Sequence, residues 1–427
     1  MTTEDPQNFR GRLARQRELL TESEAVADAD RDAIRRFLRR KDGTVAVSTL
    51  KTYLRRIRKA AEYSDVPLVA LDEDAYRDLV FELRHDESLG RGGTMSDATL
   101  KSYEDCLCQF LEAECDREWA ADVERTTVER QPVDPETMLG PEDIEALISA
   151  ARYQRDVALI EFLADTAARI SLVCSLRISD VDLEGERATY TPNPDALGLK
   201  GAPIKPYPII DSKASLRSYL RTAHPAPDEP EAPLFHKLRR YQADGEDPAL
   251  APAGLQNHFR RLGDRAGLDK PVHPHNFRHS AITRMVREGY TRAQIQHRVH
   301  WTLDTDMWDR YVHLEAEELN NDIFAAAGVV DDVEAASPQR NRCGNCGEQL
   351  AAHHRHCPAC GVATSHPRRN LLRAVDDALV EQLASTDDHR QREELFAIRE
   401  ALNDDPSMIP DLITEHPDIA DAISRHL

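Results

Sequence analysis

Apolar residues recur at helical spacing through the first quarter of the chain. The stretch "STLKTYLRRIRKAAEY" opens with a Ser/Thr helix start and places four apolar residues on one face: Leu50, Tyr53, Leu54 and Ile57. Neighbouring stretches such as "DAIRRFLRR" repeat this pattern. The pattern predicts a small domain of about four helices over residues 26–116, preceded by a polar, flexible N-terminus over 1–25.

The pattern changes in "DVDLEGERATYTPNPDALGLKGAPIKPYPIID", residues 180–211, where short strand-like pieces alternate with Gly and Pro turns. Helical spacing precedes this stretch and resumes from residue 213. We therefore expect a small antiparallel sheet inside a second, mostly helical domain over 139–327. The predicted fold class is mainly α with a small antiparallel β-sheet (α+β). The other predicted segments are linkers at 117–138 and 328–341, a cysteine-rich segment at 342–362, and a helical acidic tail at 367–427.

The overall charge does not favour a nucleic-acid partner. The 427 residues carry a net charge of −21 and only nine lysines, a composition similar to that of proteins from salt-loving microbes. No apolar run approaches the length of a membrane span, and the opening residues do not resemble a signal peptide. These features predict a cytoplasmic protein with no membrane partner.

One segment departs from this acidic background. Residues 31–60 hold eleven Lys and Arg against two acids, Asp32 and Asp42. Contact with DNA phosphates and a solvated helix pair balanced by acids elsewhere are equally good explanations from this segment alone. The candidate DNA-binding residues on the two predicted helices are Arg35, Arg36, Arg39, Arg40, Lys51, Arg55 and Arg56.

The cysteine-rich segment contains two CxxC pairs separated by ten residues. In a reducing cytoplasm, this spacing favours a tetrahedral zinc site over disulfides. Four thiolates close the coordination sphere, so the zinc would hold a small ribbon together and perform no chemistry. Histidines between the pairs are alternative ligands. The predicted ligands are Cys343, Cys346, Cys357 and Cys360.

The stretch "HPHNFRHS", residues 273–280, concentrates histidines and an arginine at a predicted helix start. Pro274 suits the first helical position, and His275 and Arg278, three residues apart, are expected to face the same way. A helix N-terminus with these side chains can bind an anion. A capping histidine beside a surface arginine is the alternative. Upstream, Arg169 stands in an otherwise apolar stretch, where an arginine needs a partner or an anion.

Several motifs occur in an order that resembles the tyrosine recombinases, the phage-integrase family. They are "TAAR" followed by "LRISDVD", a lysine on a Gly/Pro hairpin, "HNFRH", "VHW" and "RYVHL". The helical domain before them resembles the core-binding domain of that family. The resemblance covers about residues 26–327 and implies a tyrosine-recombinase catalytic domain over 139–327.

The resemblance also implies roles for individual residues. It assigns the family's two arginines, histidine, hairpin lysine and nucleophilic tyrosine to Arg169, Arg278, His275, Lys200 and Tyr311. Trp301 takes the family's His/Trp position if His300 stands where a glycine is usual; otherwise His300 takes it. The sequence departs from the family at Ala167, where glycine is usual, and at Leu172, where an acid is usual.

Members of this family cut and rejoin double-stranded DNA through a 3′-phosphotyrosine link, without a catalytic cofactor. The resemblance therefore implies a site-specific recombinase, acting as a homotetramer on two sites, such as the integrase of a mobile element in a halophile. A type IB topoisomerase is one alternative. Another is a degenerate DNA-binding regulator whose zinc ribbon recruits a partner, although such a protein would have no use for the tyrosine.

Overall fold

The structure is a computed structural model of the 427-residue chain. It describes residues 2–85, 94–129, 134–185, 187–238 and 248–301, together with a few residues beyond these: 308, 343, 348–351, 353–354 and 357–360. The chain forms two compact units, 1–338 and 339–427, which are described separately. None of the helices in the described ranges is long and apolar enough to cross a membrane.

The first part of the larger unit is a helical domain. The amphipathic stretches of the sequence form its helices, and Ile34, Phe37, Leu54 and Ile57 are fully buried in one core. The apolar faces therefore pack as their spacing predicts. The helices are α1 (Phe9–Glu22), α2 (Asp28–Lys41), α3 (Val47–Tyr63), α4 (Glu73–His85), α5 (Asp97–Cys115) and α6 (Trp119–Asp122).

Two boundaries predicted for this domain are wrong. The N-terminus is not a flexible segment throughout, because α1 forms there and buries Leu13 and Leu20 in the core of the helical domain. The carboxylate of Asp5 accepts hydrogen bonds from the backbone N–H groups of Phe9 (2.7 Å) and Arg10 (2.9 Å), which stabilises the first turn. The predicted linker over 117–138 contains α6, which packs into the same core.

The second domain is mostly helical and contains a three-stranded antiparallel sheet of order β1–β2–β3, which confirms the predicted fold class. Between α10 and α11, however, the described residues form no helix, so helices do not resume continuously from residue 213. The elements are α7 (Pro141–Ala150), α8 (Gln154–Thr166), α9 (Ile170–Ser175), β1 (Val181–Asp182), β2 (Ala188–Tyr190), β3 (Tyr207–Ile209), α10 (Lys213–Thr222), α11 (Pro252–Ala266), α12 (Pro274–Arg287) and α13 (Arg292–Arg298).

A buried carboxylate fixes the end of α8 to two other elements. Asp165 Oδ2 accepts hydrogen bonds from the backbone N–H groups of residues 210–212, at the start of α10, and Oδ1 accepts one from Arg298 at 2.7 Å. Burial by itself raises the pKa of Asp165, but the charge of Arg298 and these N–H donors outweigh burial and lower the pKa. The corner that follows α8 is therefore held in place on two sides.

Candidate active site

The corner between α8 and α9 positions the first candidate arginine. Ala167 has a φ of +54°, the left-handed conformation that glycine adopts with least strain, so this alanine takes the backbone conformation that suits the family's glycine. Arg169 follows as the residue capping the start of α9. Its Nη1 atom is buried and has no hydrogen-bond partner among the described residues.

Among the described residues, none compensates the charge of Arg169. Leu172, one turn along α9, is buried where the family usually has an acid. Burial lowers the pKa of the Arg169 guanidinium, and no ion pair joins this side chain to a carboxylate of the described residues. A partly buried guanidinium with an unpartnered Nη1 suits an anion, because an anionic ligand would supply the missing acceptor.

The second candidate arginine links the α8–α9 corner to the end of α13. Arg278 is 4% exposed; its Nη1 donates to the carbonyl oxygen of Ala167 at 2.6 Å, and its Nη2 donates to that of Val299 at 2.7 Å. Its guanidinium lies 5.8 Å from the ring centroid of Trp301. The guanidinium of Arg278 is thus held in one orientation beside the corner that carries Arg169.

The helix start predicted in "HPHNFRHS" is confirmed, but the prediction that His275 and Arg278 face the same way is wrong. Helix α12 begins at Pro274, and the ring of His273 accepts a hydrogen bond from the Asn276 N–H at 3.1 Å. His275 is exposed with its ring 4.3 Å from that of His279, whereas Arg278 points into the core. A step of three residues turns the helix by about 300°, which does not bring the side chains of His275 and Arg278 back to one direction. Burial of the Arg278 guanidinium separates the two side chains further.

His275 nevertheless faces a cavity that reaches the first arginine's helix. This cavity has a volume of about 330 Å³ and is lined by His275, His273 and Ile170, the residue after Arg169. The histidine and the α8–α9 corner therefore border the same space.

His300 and Trp301, the two candidates in "VHW" for the family's His/Trp position, lie in different surroundings. His300 has a φ of +57°, and its Nε2 is 2.8 Å from the hydroxyl of Tyr190. Burial, with the charges of Arg278 and Arg169, lowers the pKa of His300 to about 3, so the ring is neutral at pH 7. His300 thus adopts a glycine-like backbone conformation and holds the sheet, which favours Trp301 for the His/Trp position.

Two predicted catalytic residues are not brought to the arginines by the described structure. Lys200 is exposed on the β2–β3 connection with a φ of +52°, and no contact joins it to either arginine within the described ranges. Tyr311 lies outside the described residues.

The candidate DNA-binding residues fall into two groups. Arg36 and Arg40 share the buried carboxylate of Glu114, at 3.2 and 3.1 Å, so α5 offsets one of their two positive charges. Arg35 lies 3.6 Å from Asp32, and Arg39 is exposed on the same helix.

The second group lies on α3. Arg56 stacks on the ring of Tyr103 at 4.4 Å, while Lys51 and Arg55 form no ion pair with any described residue. The sequence left open whether acids elsewhere balance the charge of these basic helices. Acidic partners are therefore found for arginines of α2 but not for the basic residues of α3.

Three of the four predicted zinc ligands converge in the smaller unit. The sulfur atoms of Cys343, Cys357 and Cys360 lie within 4.8 Å of one another, and the Sγ atoms of Cys343 and Cys360 are 3.6 Å apart. Cys346 lies outside the described residues, as do the predicted linker over 328–341 and the tail over 367–427. The three thiols have the spacing of a metal site.

Sequence reasoning missed the residues that support this site. Asp165 and Arg298 form the buried pair that fixes the end of α8, and Glu114 forms ion pairs with two candidate DNA-binding arginines. A signal was available for Asp165, which interrupts an apolar run four residues before Arg169. Arg298 and Glu114 occupy polar stretches that resemble any solvated helix face.

The comparison with known proteins agrees with this geometry. Residues 137–318 match the model of the phage integrase family. Tyrosine recombinase XerC of Anoxybacillus flavithermus is 28% identical over 172 residues, 37% of this chain and 51% of the relative. XerD of Corynebacterium glutamicum is 29% identical over 223 residues, 49% of this chain and 66% of the relative. The chain thus spans between half and two thirds of the length of these relatives.

A solved structure shows the same fold. The integrase of transposon Tn1549, in complex with transposon right-end DNA, matches 69% of this chain and 98% of its own, at 17% identity and a TM-score of 0.50. The segment that matches the family contains both arginines of the α8–α9 and α12 site. Over residues 137–318 the chain is therefore similar to the phage integrase family, and the relatives that it matches are tyrosine recombinases.

Proposed function

We propose that this chain is a site-specific DNA recombinase that cuts and rejoins double-stranded DNA through a 3′-phosphotyrosine intermediate. The observation that carries the proposal is the buried, unpartnered Nη1 of Arg169 beside the fixed guanidinium of Arg278. Two guanidiniums at one corner, one of them with a buried donor that has no described partner, suit the nonbridging oxygens of a phosphodiester.

The proposed roles follow from how charge and protons move during cleavage. The phenol oxygen of Tyr311 attacks phosphorus, passing its proton to a base, for which we propose His275. The bond from phosphorus to the 5′-oxygen breaks, and Lys200 donates a proton to that oxygen. Arg169 and Arg278 stabilise the negative charge that grows on the phosphate, each contributing roughly 100- to 1000-fold. Trp301 packs beside Arg278 and helps to orient it.

Several finer features belong to the same proposal. The names of the relatives, and the DNA bound in the transposon integrase structure, support double-stranded DNA as the partner. We infer a homotetramer on two recombination sites and a cytoplasmic integrase of a mobile element. The net charge of −21 with few lysines supports a halophilic source.

The test is to trap the covalent intermediate. The full chain in molar KCl is incubated with duplexes from its own genomic neighbourhood, each carrying a nick near a candidate site, and the reaction is stopped with SDS. We expect a protein–DNA adduct at one defined sequence, with the nucleotide mapped to a peptide containing Tyr311. Adducts at many unrelated sequences would favour a type IB topoisomerase, and tight binding without any adduct would favour a regulator.

We also propose that the smaller unit holds one structural zinc ion. The three convergent thiols of Cys343, Cys357 and Cys360 support this proposal, with Cys346 as the fourth ligand. Native mass spectrometry is expected to find one zinc per chain, which is lost in Cys357→Ser and kept in the control Cys115→Ser on α5. A chain purified with zinc in the buffer that retains no metal would contradict the assignment.

A further inference from the structure

The N-terminal residues join the helical domain to the catalytic domain. The carbonyl oxygen of Glu4 accepts a hydrogen bond from the Leu197 N–H at 2.7 Å, and Gln7 Nε2 donates to the hydroxyl of Ser171. The ring of Phe9 packs so closely on Gly198 that a Cβ atom there would lie 2.7 Å from it. The first turn of α1 is therefore fixed against the catalytic domain.

This attachment places Arg12 between two cavities. Arg12 lines the cavity of about 330 Å³ that it shares with His275 and Ile170. It also lines a second cavity, of about 220 Å³, together with Lys51 and Arg55 of α3. The exposed guanidinium of Arg12 thus lies between the candidate active site and the basic residues of α3, Lys51 and Arg55.

Of the four cations that line the second cavity, Arg15 is paired with Glu18 and Glu22, whereas the other three have no acidic partner among the described residues. Arg12, Lys51 and Arg55 form no ion pair with any residue in the described ranges. Burial and the charges of Arg12, Arg55 and Arg56 lower the pKa of Lys51, which shows that like charges face one another there. In a chain with a net charge of −21, such a cluster is stabilised by a polyanion.

We propose that Arg12 binds a phosphate of the DNA backbone that flanks the scissile phosphate. Arg12 would then continue the line of phosphate-binding side chains from His275 to Lys51 and Arg55. The proposal rests on the proposed function, which supplies double-stranded DNA as the ligand and the scissile phosphate as the reference position. Successive phosphates of one strand lie along a line, and Arg12 is the residue that borders both cavities.

The experiment compares Arg12→Gln with Arg17→Gln in the full chain. Both side chains are exposed on α1, but Arg17 lines neither cavity. Binding of a duplex that carries the cleavage site is measured by fluorescence anisotropy over a series of KCl concentrations. Arg12→Gln is expected to weaken binding about tenfold and to reduce the slope of log K against log[salt] by about 0.9, the value for one phosphate contact.

Arg17→Gln is expected to match the wild type in both quantities, and Arg12→Gln at saturating DNA is expected to form the adduct. If the two variants give the same affinity and the same salt slope, Arg12 does not bind phosphate and the inference is wrong. Failure of the proposed function looks different, because the wild type would then form no adduct while the difference in salt slope between the two variants remained.

Discussion

Tyr311→Phe is expected to abolish the covalent protein–DNA adduct and to leave DNA affinity unchanged. The substitution removes a single oxygen atom, the proposed nucleophile, and keeps the aromatic ring of the side chain. The phenol of Tyr190 is buried and hydrogen-bonded to His300, so it is not expected to replace Tyr311, and cleavage is expected to fall by roughly 10⁴-fold or more. SDS-resistant adduct on nicked DNA measures cleavage, and fluorescence anisotropy measures binding.

The control is Tyr153→Phe, which makes the same change at a tyrosine that is 53% exposed in the catalytic domain. It is expected to form adduct at the wild-type rate. If Tyr311→Phe also formed adduct at that rate, another residue would be the nucleophile, and the role taken from the family resemblance would have to be given up.

The helical spacing of apolar residues was sufficient to predict most of the fold. Ile34, Phe37, Leu54 and Ile57 pack as expected because burial of an amphipathic face is a local property of the sequence. The small sheet was predicted for a similar reason, since Gly and Pro turns separate its short strands. Boundaries were less predictable. Leu13 and Leu20 are two apolar residues in a polar stretch, and α1 forms because α3 offers them a surface to pack on.

The candidate site was predictable in composition but only partly in geometry. The ordered motifs singled out Arg169 and Arg278, and the structure places both at the α8–α9 corner. That Arg278 points inward and His275 outward depends on two carbonyl groups from distant elements, which no local pattern reveals. The position of Arg12 depends in the same way on long-range contacts.

Arg169 and Arg278 are expected to differ in how much each contributes to the free energy of unfolding. Arg169→Met keeps the apolar stem of the side chain and removes a partly buried cation whose Nη1 atom has no described partner. We expect adduct formation to fall by roughly 100- to 1000-fold, because the phosphate loses one of its two guanidiniums. The free energy of unfolding is expected to stay the same or to rise by about 1 kcal/mol, because an uncompensated buried charge is lost.

The matched control is Arg278→Met, which should reduce adduct formation by a similar factor but also destabilise the fold. Its guanidinium supplies donors to the carbonyl oxygens of Ala167 and Val299, and each buried acceptor left without a donor costs about 1–3 kcal/mol. Urea denaturation of the two variants against the wild type measures the difference. A loss of stability in Arg169→Met as large as that in Arg278→Met would mean that Arg169 is held by protein contacts. Arg169 would then be a structural residue, and the uncompensated charge that supports a phosphate site at the α8–α9 corner would not exist.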